Sequence, residues 1–249
     1  MTRLDTDVGR RVTTAGVSLV VISGTVSVMG MGVLAAGCAD PASVTPATSD
    51  VLLSRQLPSG YALQLDRANR DRADFAVQDD NGDLIVETGP AGILYRPDDA
   101  DHVIAASEAS RYRVRGRFTE LGAPMGHREG FGVFVGGQQL GAHEGQRYIY
   151  FMVRGDGRYL VKQRDGDATS ELSQGWQESD AVRVPTSEGG EVTNELAIEV
   201  DGGELHLLCN GETVADVTVD EMDTRGVVGL RVNHNLHVRI GDFGLDREW

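Results

Sequence analysis

Glu199, Asp201 and Glu204 stand in the order E-x-D-x-x-E within "AIEVDGGELHLLCNGE", residues 197–212. Carboxylates so spaced could cut a glycosidic bond: a retaining glycosidase sets two carboxyl groups about 5 Å apart, one as nucleophile and one as acid/base. Three acids reach one bond only if an unbroken strand carries them. Here Gly202-Gly203 falls between Asp201 and Glu204, and two glycines after an aspartate turn a chain back rather than extend it. Leu196, Ile198 and Val200 alternate before the pair; Leu205, Leu207 and Cys209 alternate after it. The spacing therefore predicts a β-hairpin with Asp201 at its tip and Glu199 and Glu204 facing solvent. No catalytic residue is assigned.

Other residue types capable of chemistry lie in turns. "DDNGDL" (79–84) begins like a calcium loop, but Leu84 stands where such a loop needs glycine and no bidentate glutamate follows. Asp165 and Asp167 in "RDGDATS" offer two oxygens, again in a turn. Asp, Asn and Gly serve turns for their own sake, so no metal ligand is assigned. Two glycine-rich loops carry His127 with Glu129 and His143 with Glu144. These could ligate a metal or form an acid/base pair if the loops met, but they lack a tight spacing such as His-Glu-x-x-His. No nucleophile elbow, Ser-His-Asp signature or phosphate-binding glycine loop is present.

A third set is better suited to holding a ligand than to transforming one. Strand alternation puts Arg111, Arg113, Arg115, Arg117, Tyr148, Tyr150, Arg154, Lys162, Arg164, Arg231, Asn233, His237 and Arg239 at outward positions. Aromatic rings stack on the apolar faces of sugars, and guanidinium forks bind hydroxyls, carboxylates or phosphates. Tyr148, Tyr150, Arg154, Lys162 and Arg164, with Trp176 from a nearby loop, are the candidate ligand-binding residues. The alternative is that the arginines are solvated and paired with neighbouring acids, as most surface charges are. The sequence does not say which of two sheets each position belongs to.

The elements that must carry these residues are strands. The chain has 249 residues, 32 glycines and 6% aromatics, a mix that suits short strands joined by tight turns. "RYRVRGRF" alternates most plainly, with Tyr112, Val114 and Phe118 on one side and four arginines on the other. About a dozen such runs follow one another from residue 70 onward, with no long amphipathic helix and no internal repeat. Acids outnumber bases 38 to 23, for a net charge of -15, which excludes nucleic acid as an expected partner. Lys162 is the only lysine.

Residues 1–37 read as a signal peptide. Arg3, Arg10 and Arg11 precede an uncharged stretch from Val12 to Gly37 that ends in small residues. "LAAGC" resembles a bacterial lipobox, with Ala35 at the place where a large aliphatic is usual and Leu34 one further back. By that resemblance Cys38 receives lipid and becomes the mature N-terminus. An uncleaved anchor of about 20 apolar residues is the alternative. "ADPASVTPATSD", residues 39–50, reads as a flexible tether, leaving residues 51–249 as one domain exported from the cytoplasm. Cys209, in an apolar strand pattern, is expected to be a buried, inert thiol.

The succession "GILYRP", "YRVRGRFTE", "GFGVFV", "RYIYFMVRGDGRYLVKQ", "NELAIEVDGGELHLLCNGETV" and "GVVGLRVNHNLHVRIGDFGL" resembles the concanavalin A-like lectin/glucanase superfamily. Within it, the chain is most similar to laminin-G-like and 3-keto-disaccharide-hydrolase-type domains. The resemblance implies an all-β, two-sheet antiparallel jelly-roll sandwich over residues 70–245. It also implies a carbohydrate or cell-envelope ligand, and it allows for a structural calcium ion. Because the fold hosts lectins, hydrolases and inert adhesion modules alike, a glycoside-acting hydrolase and a structural envelope module remain alternatives to a binding module. Glu199, Asp201 and Glu204 depart from the laminarinase-type pattern, in which the carboxylates lie along one strand.

Overall fold

The computed structural model describes residues 57–67, 74–105, 107–108 and 111–247. The signal segment, Cys38 and the tether lie outside these. Among the described residues no helix is long and apolar enough to cross a membrane.

Sixteen strands among the described residues form two antiparallel sheets. Sheet A runs in the order β1 (Ala62–Leu65), β4 (Gly92–Tyr95), β15 (Gly226–Val232), β7 (Gly130–Gln138), β8 (Arg147–Arg154), β9 (Arg158–Asp165) and β10 (Ala168–Glu171). Two short strands attach to it: β5 (Val103–Ile104) to β15 and β11 (Gln177–Glu178) to β9. Sheet B runs β14 (Glu212–Thr218), β13 (Glu204–Cys209), β12 (Gly190–Asp201), β6 (Arg111–Ala123), β16 (His237–Asp246), β3 (Asp83–Thr88) and β2 (Phe75–Asp80). The all-β sandwich expected from the sequence is the architecture observed. The segment "TVDEMDT" contributes one 3-10 turn, Glu221–Thr224.

The main core lies between the sheets. Tyr112, Val114 and Phe118 of β6 point into it with Leu196, Ile198 and Val200 of β12, and meet Phe131, Val133, Ile149 and Phe151 of sheet A. Phe118 and Phe131 stack at 5.5 Å. Burying one such ring contributes roughly 1.5–3 kcal/mol. Period-two alternation follows directly: what β6 does not bury, its arginines, it turns to solvent.

β7 and β8 break that rule, because both of their faces are covered. The side of sheet A away from the main core carries a second apolar cluster of Ile93, Tyr95, Phe134, Tyr148, Tyr150, Met152 and Leu160. Leu140 and Trp176 pack on it. At one end the loop 139–146 is pinned by buried amides: Gln64 Nε2 donates to Gln146 Oε1 and the Gly141 amide to Gln64 Oε1, both at 2.5 Å.

Candidate ligand-binding face

The carboxylate triplet sits where the glycine pair puts it. β12 ends at Asp201, β13 begins at Glu204, and the two residues pair directly across the turn. Gly202 takes φ +64°, a left-handed conformation that costs residues with a Cβ roughly 1–2 kcal/mol. All three acids lie on the outer face of sheet B. Glu199 is 3.5 Å from Arg113, Glu204 accepts from Thr218 Oγ1 at 3.0 Å, and Asp201 stands opposite Arg111. None of them lines either of the two pockets described below.

The thirteen outward positions divide between opposite faces of the molecule. Arg111, Arg113, Arg115, Arg117, His237 and Arg239 belong to the outer face of sheet B, where acids neutralise them. Arg115 is 3.0 Å from Asp246, Arg117 is 3.1 Å from Asp242 and Arg239 is 3.7 Å from Asp80. A small pocket of about 130 Å³ opens among Arg113, Arg115, Arg117, Glu195, Ala197 and Asp242. This face is the solvated ion-pair lattice named above as the alternative, and such exposed pairs are individually worth 0–1 kcal/mol.

Sheet A gathers the rest. Register alone fixes their common side: Tyr148 pairs with Arg164, Tyr150 with Lys162, Met152 with Leu160 and Arg154 with Arg158 between β8 and β9. Tyr150 also pairs with Phe134, and Phe134 with Gly229 two positions from Arg231. Tyr148, Tyr150, Arg154, Lys162 and Arg164 therefore share one face, with Trp176 at its margin. The two tyrosines are not open platforms, since Tyr148 is 2% exposed and Tyr150 6%. Trp176 is half-buried, and among the cations Lys162 is the most open, its side chain 23% exposed against 10% for Arg154 and 11% for Arg164. Arg154 lies over the Trp176 ring at 4.2 Å and donates through Nε to Asp156 at 2.6 Å. Gly130 makes this stack possible, because a Cβ there would come within 2.8 Å of the Trp176 ring.

Beneath the face, Arg231 is 5% exposed and reaches both oxygens of Asp66, at 2.5 and 2.6 Å. Burial opposes charge on both groups, and the bidentate contact outweighs it. The Asp66 carboxyl is held below its ordinary value, and Arg231 is held above its own through the Tyr148 and Asp66 oxygens. The guanidinium also covers the Tyr150 ring at 5.3 Å. Burial pushes the Tyr150 hydroxyl up to about 12, so at neutral pH it remains a donor.

Asp66 had no sequence signal: it follows β1 and finds its partner 165 positions away. The pairing of the loop histidines also differs from expectation. His127 Nδ1 lies 2.6 Å from Oε1 of Glu120, which is buried on the inward side of β6, whereas Glu129 is 3.6 Å from His234. Glu120 stands two positions from inward-facing Phe118, so alternation did mark its side. Among the described residues no group of three or more His, Cys, Asp or Glu is placed to hold a metal ion. Asp79 and Asp165 serve their turns and neighbours instead: Asp79 accepts from the Gly82 amide at 3.1 Å, and Asp165 lies 3.5 Å from Arg147. Cys209 is buried, its thiol is pushed up to about 12 by burial, and its Sγ donates to the Ala181 carbonyl at 3.4 Å.

Beside Arg154, its partner Asp156 also lines an open cleft of about 750 Å³ with Glu178, Asp180, Arg183 and Glu191. The face therefore has a floor of buried aromatics, a rim of cations and one tryptophan, and a cleft at its edge.

No family model matches the chain, and no curated protein matches it either. Solved structures do. The carbohydrate-binding module CBM66 from Bacillus subtilis superposes with a TM-score of 0.53 at 10% identity, over 75% of this chain and 95% of that one. A Bacillus subtilis protein of unknown function with a galectin-like fold superposes with a TM-score of 0.50 at 11% identity, over 75% and 89%. At such identities the likeness is one of fold: this chain is built as a two-sheet antiparallel β-sandwich.

Proposed function

We propose that this chain is an exported binding module, anchored to the membrane through a lipid on Cys38, that holds a carbohydrate on the outer face of sheet A without cleaving it. The observation that carries the reading is the convergence of Trp176, Arg154, Lys162 and Arg164 on one face whose floor is a buried, packed aromatic cluster. A stacked tryptophan offers an apolar surface to a sugar ring while its neighbours offer hydrogen bonds, and a preorganised site loses little entropy on binding. The fold shared with a carbohydrate-binding module supports the reading. Placement of Glu199, Asp201 and Glu204 about a hairpin tip supports a binding rather than a hydrolytic role.

The test is a polysaccharide panel probed by affinity electrophoresis. Retention on at least one glycan is expected, with Trp176→Ala weakening it about tenfold, or ~1.4 kcal/mol, in a chain still folded by circular dichroism. Release of reducing sugar from the retained glycan, lost in Glu199→Gln, would favour the hydrolase instead.

A further inference from the structure

The five cations on this face are not equally occupied. Arg231 is closed by its bidentate contact with Asp66. Arg154 is closed by Asp156 and the Trp176 ring, and Arg158 donates to Glu178. Lys162 and Arg164 are different. The Lys162 ammonium is 3.3 Å from Glu171, a residue of edge strand β10 whose side chain is 50% exposed. The Arg164 side chain is 11% exposed and feels the charge of Asp66, but its direct ion-pair partner, 3.9 Å away, is Asp167, which is 83% exposed. In both pairs the acid is the exposed partner, so it can swing into water and yield its place to a better-placed anion.

Both cations are also held in position. Arg164 Nε donates to the Gly166 carbonyl at 2.9 Å, which restrains the guanidinium plane. Lys162 and Arg164 are alternate residues of β9, about 7 Å apart along one face. Directly across from Lys162 stands Tyr150, whose hydroxyl has no hydrogen-bond partner among the described residues. Ammonium and guanidinium groups donate and cannot accept, and a protonated phenol here adds a third donor. A neutral sugar offers hydroxyls that both donate and accept, so it leaves such a cluster only partly matched. A carboxylate is acceptor-only and takes charge-assisted bonds from all three.

We propose, building on the carbohydrate-binding reading, that the ligand is an acidic saccharide and that Lys162, Arg164 and the Tyr150 hydroxyl receive the carboxylate of a uronic acid residue. Tyr150 and Arg154 are four positions apart on β8, about 13 Å along the strand. A ligand that also reaches the ring of Trp176, stacked on Arg154, is therefore an oligosaccharide. The acidity of the chain as a whole makes this local, loosely paired couple of cations selective for an anion that fits it, since a polyanion lacking the fit meets only repulsion.

The test sets oligogalacturonate and oligoglucuronate against their methyl esters and carboxyl-reduced forms, titrated into the full-length chain in detergent. The expected result is binding of at least one oligouronate, with its neutralised forms at least tenfold weaker. Lys162→Met and Arg164→Gln should each lower oligouronate affinity by about tenfold in chains whose circular dichroism spectrum still shows the folded β-sandwich. Because Lys162 is the sole lysine, its acetylation, read by mass spectrometry, should be slowed by the oligouronate and not by its ester. Equal binding of acidic and neutral forms, with Lys162 acetylated at an unchanged rate, overturns the acidic-ligand assignment and leaves the carbohydrate reading standing. Binding of neutral glycans alone has the same meaning. Failure to retain any glycan, acidic or neutral, overturns both.

Discussion

At the residue scale, the chain spends its best electrostatic contact on architecture. Asp66 and Arg231 meet through two hydrogen bonds beneath the face, and removing one partner of a buried pair leaves the other charge uncompensated. Asp66→Asn is expected to lower stability by about 3 kcal/mol at pH 7 in urea unfolding. The pH dependence has a definite sign. The folded carboxyl titrates below its ordinary value, so its contribution is full above the unfolded value near 3.9 and disappears as pH falls through the folded one. Wild type and Asp66→Asn should therefore converge in stability under strong acid and differ most at neutral pH. Cys209 offers a second check. With its thiol raised to about 12 by burial, Ellman's reagent should leave it unlabelled at neutral pH until the chain is unfolded.

At the element scale, hairpins and glycines decide which side chains meet. The turn at Gly202-Gly203 explains why three acids in a suggestive order never face one another. Gly202→Ala forces a Cβ into a left-handed turn and should cost about 1 kcal/mol in stability while leaving ligand binding unchanged. Gly130→Ala should lower binding as well as stability, since its Cβ also comes within 3.1 Å of the Val153 carbonyl. Its Cβ displaces the Trp176 ring, so binding falls as it does in Trp176→Ala, and the tryptophan emission maximum shifts because the ring leaves Arg154. These elements also mark what the sequence could disclose. The alternation of "RYRVRGRF" and the glycine pair were legible because both are local. The side on which Tyr148 and Tyr150 lie was legible for the same reason. Their burial was not, because the cover comes from Leu140, Trp176, Val227 and Ala62 of β1, residues that only the folded chain brings together. The near-continuous apolar run "YIYFMV" did carry a trace of it, since strands buried on both faces lose their alternation.

At the scale of the whole molecule, the two outer faces have separate characters. Sheet B presents arginines already matched by acids, and sheet A presents a covered aromatic floor with two loosely paired cations and a tryptophan above it. Anchoring belongs to this scale too. Cys38→Ser should block processing at the proposed lipobox and remove the lipid label from the chain, as followed by incorporation of a tagged fatty acid. The most direct test of the central claim is binding of a retained glycan by wild type, Trp176→Ala and a double variant of sheet B, Arg115→Ala with Arg117→Ala. A site on sheet A gives about a tenfold loss in Trp176→Ala and none in the sheet B variant; an unaffected Trp176→Ala beside a weakened sheet B variant would put the ligand on the opposite face.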